Sequence, residues 1–168
     1  AWVVQEVAVS KKATVFWGSK QCEWNELIGA LSFMSNARFP LAFMPTLHHV
    51  AAIEEETRRY KQGTNTLLGL LLRHQRCLSK KPHDKVYAFC GLMDTSPSEF
   101  IDVKIRYEGA VESVYRDVAT KILQHNRNLD ALSHRPLPNN ITSSTSNLPS
   151  WVPDWSRCTN ENMAHAWG

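Results

Sequence analysis

The chain has 168 residues, 43% of them hydrophobic, which is enough apolar material for the core of one globular domain. Its 19 Lys and Arg and 16 Asp and Glu are interleaved, giving a formal charge of +3 without the basic stripe that a phosphate backbone requires, which argues against nucleic acid as a partner. The longest apolar run, Leu67 to Leu72, falls far short of the ~20 residues of a membrane-spanning helix.

In chain order, the opening WVVQEVAVS allows two readings. Its alternation predicts a strand, whereas Trp2, Gln5, Glu6 and Val9 share one helical face. Ala13 to Trp17 predicts a strand stopped by Gly18. Trp24, Leu27, Ile28, Leu31 and Met34 recur at helical spacing. Pro40 and Pro45 bracket a loop, after which Thr46 is the expected cap of a helix from Leu47 to about Gln62, stopped by Gly63. On its outer face Glu54 and Arg58, and Glu55 and Arg59, stand in the favourable i,i+4 order. Thr66 to His74 is apolar nearly all round, which predicts a central, buried helix.

The stretch KKPHDKVYAFCGLMD then opens on a proline and an acid. Pro82 loses no hydrogen bond in a first turn, and Asp84 there faces the positive end of the helix dipole. Val86, Phe89, Cys90 and Met93 form the inward stripe with Tyr87 and Gly91 beside it, and Gly91 permits a close approach or marks the helix end. Ile101, Val103 and Ile105 alternate with polar residues, which predicts a half-buried strand. Glu108 to Asn126 carries the clearest amphipathic stripe, through Val111, Val114, Tyr115, Val118, Ala119 and Ile122. Pro, Asn, Ser and Thr then dominate, and the segment after them, LPSWVPDWS, packs two tryptophans and two prolines into a short span. Trp151 and Trp155 would lie on the same side of an extended chain and clamp it to the domain, with Asp154 holding the returning segment. The sum is a helix-dominated α/β or α+β unit with few strands, divided into 1–134, a flexible loop at 135–147, and a Trp/Pro-rich segment at 148–168 that packs back.

Chemistry-bearing patterns are sparse. Cys22, Cys77, Cys90 and Cys158 lie far apart with no C-x-x-C pair, which reads as thiols in a reducing compartment, the cytosol by default. His48 and His49 are adjacent, so on a helix they point about 100° apart instead of sharing a face as metal ligands do at i,i+4. His83 and Asp84 can pair, with no nucleophile assignable to them. The glycines never fall in a phosphate-loop spacing, and no cofactor or metal is expected. Glu6, an acid among apolar residues, needs a partner or an exposed face.

Taken together, WVVQE at Trp2 to Glu6, PHDKVYAFCGL at Pro82 to Leu92, the stretch from Tyr107 to Tyr115 and LPSWVPDWS at Leu148 to Ser156 resemble, in order, motifs of the fungal heterokaryon-incompatibility (HET) domain family. The family's versions look like R-x-W-x-x-Q-E, P-x-D-x-V-Y-A-x-L-G-L, D-Y-x-x-x-x-x-x-V-Y and L-P-S-W-V-P-D-W-S. Two stretches of the family's opening part have no counterpart, Arg106 stands where the family often has an acid, and Cys90 where it often has leucine. The resemblance therefore implies a partial domain: the C-terminal portion of an HET-like domain and the region following it, cut from a longer protein that starts before Ala1.

What the resemblance implies for function is an intracellular effector of fungal non-self recognition. It would trigger programmed cell death, as innate immunity does, through sensing domains or other HET-family proteins as partners. The matching positions Trp2, Gln5, Pro82, Asp84, Tyr87, Gly91, Tyr107, Trp151, Pro153, Asp154 and Trp155 are then expected to be structural. A distant kinship of the family with Toll/interleukin-receptor domains carries an alternative, an enzyme cleaving NAD as substrate with Glu6 as the catalytic acid. A third alternative is an inactive truncated remnant.

Overall fold

The computed structural model describes residues 1–36, 44–75, 77–133 and 147–156. Its elements are helix α1 (Trp2–Val9), strands β1 (Thr14–Trp17) and β2 (Lys20–Glu23), and helices α2 (Trp24–Asn36), α3 (Met44–Gln62), α4 (Leu67–Arg73), α5 (Asp84–Cys90), α6 (Val111–Asn126) and α7 (Asp130–Ser133). The architecture is helix-dominated with few strands, as the patterning predicts. Among the described residues the only sheet is the antiparallel pair β1 and β2.

The ambiguous opening is a helix. Val4 and Ala8, four residues apart, form its buried edge against α3 and α5, while Trp2, Glu6 and Val9 face outward. The strand expected before Gly18 is present, and its return strand was not anticipated. Gly18, with φ 59, takes the first of the two turn positions between Trp17 and Lys20, where a type II′ hairpin turn has its glycine. The turn sets this pairing, because Lys-Gln-Cys-Glu has little strand propensity of its own.

Helix α3 begins at Met44, earlier than expected, so Thr46 lies inside it and is not its cap. Pro45 is tolerated there because first-turn N–H groups lack intrahelical acceptors. Gly63, with φ 62, follows the helix as predicted. Glu55 pairs with both Arg58 and Arg59, whereas Glu54 turns away from Arg58 and accepts the indole Nε1–H of Trp24 at 2.7 Å, tying α2 to α3. Helix α4 is central, as expected: the Thr66 hydroxyl caps it by accepting from Gly69 N at 3.2 Å, and Leu67, Leu68, Leu70 and Leu71 are buried.

The half-buried strand expected at 101–105 is not one. The segment is extended, but it joins no sheet among the described residues, and burial fades from Ile101 through Val103 to the exposed Ile105. Helix α6 starts at Val111, after Gly109 with φ 100, slightly later than its stripe implied. It ends on Arg127, which adopts the left-handed conformation, φ 52, that glycine usually fills. The C-terminal segment corrects a second expectation. A bond from Val152 N to Pro149 O at 3.0 Å folds it into a turn, so the two tryptophans do not share a side: Trp155 is 6% exposed and Trp151 38%. The loop expected at 135–147 lies, except for Asn147, outside the described residues, as do residues 157–168.

Candidate functional site

The approach to α5 is a tight turn. Asp84 N bonds to Lys81 O at 3.0 Å and Lys85 N to Pro82 O at 3.1 Å, so Pro82 precedes the helix and Asp84 is its first residue. Around this turn three tyrosines close a network. Tyr115 of α6 donates to the Pro82 carbonyl at 2.8 Å, and Tyr107 donates to Asp84 Oδ1 at 2.6 Å. Tyr87 of α5 donates to Arg106 O at 2.7 Å and accepts from Arg106 N at 3.2 Å. Tyr87 and Tyr115 are buried, where a hydroxyl without a partner would cost about 1–3 kcal/mol, so their bonds tie the extended segment and α6 to the start of α5, while the Tyr107 bond adds a tie at the surface.

The rings pack to match. Tyr107 meets Tyr87 edge-on at 5.3 Å, the His83 ring lies 5.8 Å from Tyr107, and Lys81 Nζ sits 4.7 Å above the Tyr107 ring. Trp155 meets Tyr115 edge-on at 5.2 Å. The hydrogen bond to Asp84 pushes the Tyr107 phenol up to about 12, and burial together with the Asp154 charge pushes Tyr115 higher still. Neither phenol is set to ionise. Asp154 Oδ1 accepts from Ser156 N at 3.0 Å, which stiffens the turn that carries Trp155.

Of the residues singled out in the sequence, the structure brings together Pro82, Asp84, Tyr87, Tyr107 and Trp155, with Pro153 and Asp154 in the turn beside them. Gln5 and Gly91 make a separate contact, in which a Cβ on Gly91 would overlap Gln5 Nε2. Gly91 has φ −77, so it serves close approach and not a left-handed turn. Trp2, Glu6 and Trp151 stand at the surface. Glu6 makes no hydrogen bond or ion pair among the described residues. The network can hold elements in place; its hydroxyls and its carboxylate are already engaged with one another.

A second cluster was missed. Glu56 of α3 is fully buried, and Arg73 clamps both of its oxygens while donating to Asn65 Oδ1 at 3.0 Å. His74, at the end of α4, stacks on Phe89 at 5.2 Å and places Nε2 3.5 Å from Glu56 Oε1. That nitrogen is buried without an aligned hydrogen bond, so the attraction is one of charge. The other ring nitrogen, Nδ1, lies 3.8 Å from Cys77 Sγ. Burial pushes Glu56 up, yet the contacts with His74 and Arg73 outweigh it and hold the carboxyl below its usual range. Burial likewise disfavours the His74 charge, but Cys77 and Glu56 raise the imidazole above its usual value. The available signals were His-x-x-Cys after a leucine-rich helix and Glu56 one turn beyond the inward-facing Ile53. The outer-face pairs Glu54–Arg58 and Glu55–Arg59 drew the reading of this helix, and Glu56 beside them was not singled out.

Among the described residues no three His, Cys, Asp or Glu side chains are placed to hold a metal ion, and no helix is long and apolar enough to cross a membrane. Compared with protein-family models, with curated proteins and with solved structures, the chain matches none of them.

Proposed function

We propose that the chain is the C-terminal part of an HET-type domain and acts in the cytosol as an interaction and effector module of fungal non-self recognition, triggering programmed cell death. The observation that supports this reading is convergence. Pro82, Asp84, Tyr87, Tyr107, Tyr115 and Trp155 come from three of the motif-like stretches, far apart in the chain, yet they meet around the start of α5. A chance likeness of short stretches gives no reason for their side chains to bond to one another. The exposed rings of Phe16, Trp17 and Phe33 fit a module that works through protein contacts.

The test is expression of the natural protein carrying this chain in a filamentous fungus, with uptake of a vital dye as the readout of death. The expected result is death with the native sequence and survival when Tyr115→Ala breaks the network. Equal survival with both would overturn the reading. The NAD-cleaving alternative rests on Glu6 alone, and its exposed position lends it no support. The purified chain is expected to release no nicotinamide from NAD; release that Glu6→Gln abolishes would move the enzyme reading to first place.

A further inference from the structure

We propose that Cys77 is a nucleophilic thiol, served by His74 as its base and by the Glu56 carboxylate as the charge that stabilises the imidazolium, whose substrate is hydrogen peroxide. The inference does not depend on the effector reading, since none of these residues belongs to the motif network.

The geometry resembles that of an activated nucleophile: sulfur and carboxylate stand at opposite nitrogens of one imidazole, whose place is fixed by its stacking on Phe89. Glu56 is fixed by Arg73, His74 Nε2 faces Glu56 Oε1 at 3.5 Å, and His74 Nδ1 faces Cys77 Sγ at 3.8 Å. Stacking on Phe89, with the ring planes 18° apart, keeps the imidazole from turning away from either partner. Lys85 Nζ donates to the carbonyls of Gln75 and Cys77, which brings positive charge to the loop where sulfur would develop negative charge. A structural thiol needs none of this. Cys90 illustrates the contrast: its sulfur faces only the Val86 carbonyl, and burial pushes the thiol up to about 12.

The substrate class follows from access. Cys77 is 7% exposed, which suits a reagent scarcely larger than water and excludes bulky electrophiles. In the reaction, Sγ attacks one peroxide oxygen and the O–O bond breaks. The thiol proton passes to His74 Nδ1, and the imidazolium returns a proton to the departing hydroxide. Cys–SH and H2O2 become Cys–SOH and H2O, with sulfur oxidised by two electrons and the peroxide reduced by two.

The experiment exposes the purified chain to hydrogen peroxide, removes the excess with catalase, and then unfolds the chain in urea with dimedone, so that each cysteine's sulfenic acid is trapped before peptide-resolved mass spectrometry. With hydrogen peroxide, Cys77 is expected to react about tenfold faster than the more exposed Cys22 and than Cys90. With N-ethylmaleimide the order should reverse, Cys22 reacting first. His74→Gln should bring Cys77 down to the rate of Cys90. Peroxide oxidation of Cys22 or Cys90 before Cys77 in the native protein would overturn the proposal. So would an unchanged Cys77 rate in a His74→Gln variant that keeps the native circular dichroism spectrum. Should that variant unfold, the order of reaction in the native protein still decides.

Discussion

Two tryptophans mark the contrast between the ends of this molecule. Trp155 is 6% exposed, wedged edge-on against Tyr115, while Trp17 at the tip of the hairpin is 87% exposed. The region of α4, α5 and α6 buries nearly every apolar side chain it has, and even His74, together with Glu56 of α3 that packs against it. The hairpin and α2 contain no fully buried residue among those described, and they pack chiefly on one another. A two-stranded hairpin is marginal by itself in water. Residue type sets how much burial is worth, but the number of elements that converge on a place decides whether burial happens.

The sharpest way to break this comparison is to remove one ring from each region. Trp155→Ala should cost about 4 kcal/mol, roughly a 12 °C fall in melting temperature. An unchanged thermal transition would mean that the C-terminal turn is not part of the core. Glu56→Gln keeps the shape but removes the charge that Arg73 and His74 face, and should cost about 3 kcal/mol in urea unfolding. A loss below about 1 kcal/mol would show that water reaches the cluster. Tyr115→Phe removes the hydroxyl with its bond to the Pro82 carbonyl and its contact with Ser156, and should cost about 1 kcal/mol.

A pH series separates charge from packing in the same cluster. The folded-state value of His74 is raised, so its contribution is complete below the ordinary 6.5 and is lost as pH rises through the raised value. That of Glu56 is depressed, so its contribution is present above the ordinary 4.5 and is lost as pH falls through the depressed value. Arg73, Cys77 and His49 are the other titratable groups that bear on this pair. The gap in melting temperature between the native chain and His74→Gln should therefore be widest between these limits and narrow as pH rises above neutrality. A gap that is flat with pH would show that His74 acts only by filling space. Smallest of all, Trp17→Ala should change stability by less than about 0.5 kcal/mol. A larger loss would mean that the hairpin end is buried after all.

The helices were legible because their stripes are long and their stops strong. Leu67 to Leu71, Val86 to Phe89 and Tyr115 to Ile122 are buried as their spacing required, and Gly63 and Gly18 sit at the breaks they announced. What escaped depends on partners remote in sequence. Alternation at 101–105 looks the same whether or not a neighbouring strand exists. The return strand β2 owes its pairing to a turn, and the fate of Glu54, Glu55 and Glu56 was set by which of them met Trp24, the arginines or His74. Five of the motif residues do meet in the network, but the turn at Pro149–Val152 placed the two tryptophans differently, and neither spacing nor composition encodes that turn.

The extended segment at 101–107 bears on association as well as on folding. A lone extended stretch with free N–H and C=O groups invites a second chain to add itself as a strand. Here side chains occupy that role: Tyr87 takes both backbone groups of Arg106, and Lys121 Nζ donates to the Asp102 carbonyl at 2.6 Å. The segment is thus closed at two points along its length without belonging to any sheet among the described residues. Tyr87 serves the solubility of the chain as much as its core, and its loss would open an edge on which copies of the protein could stack.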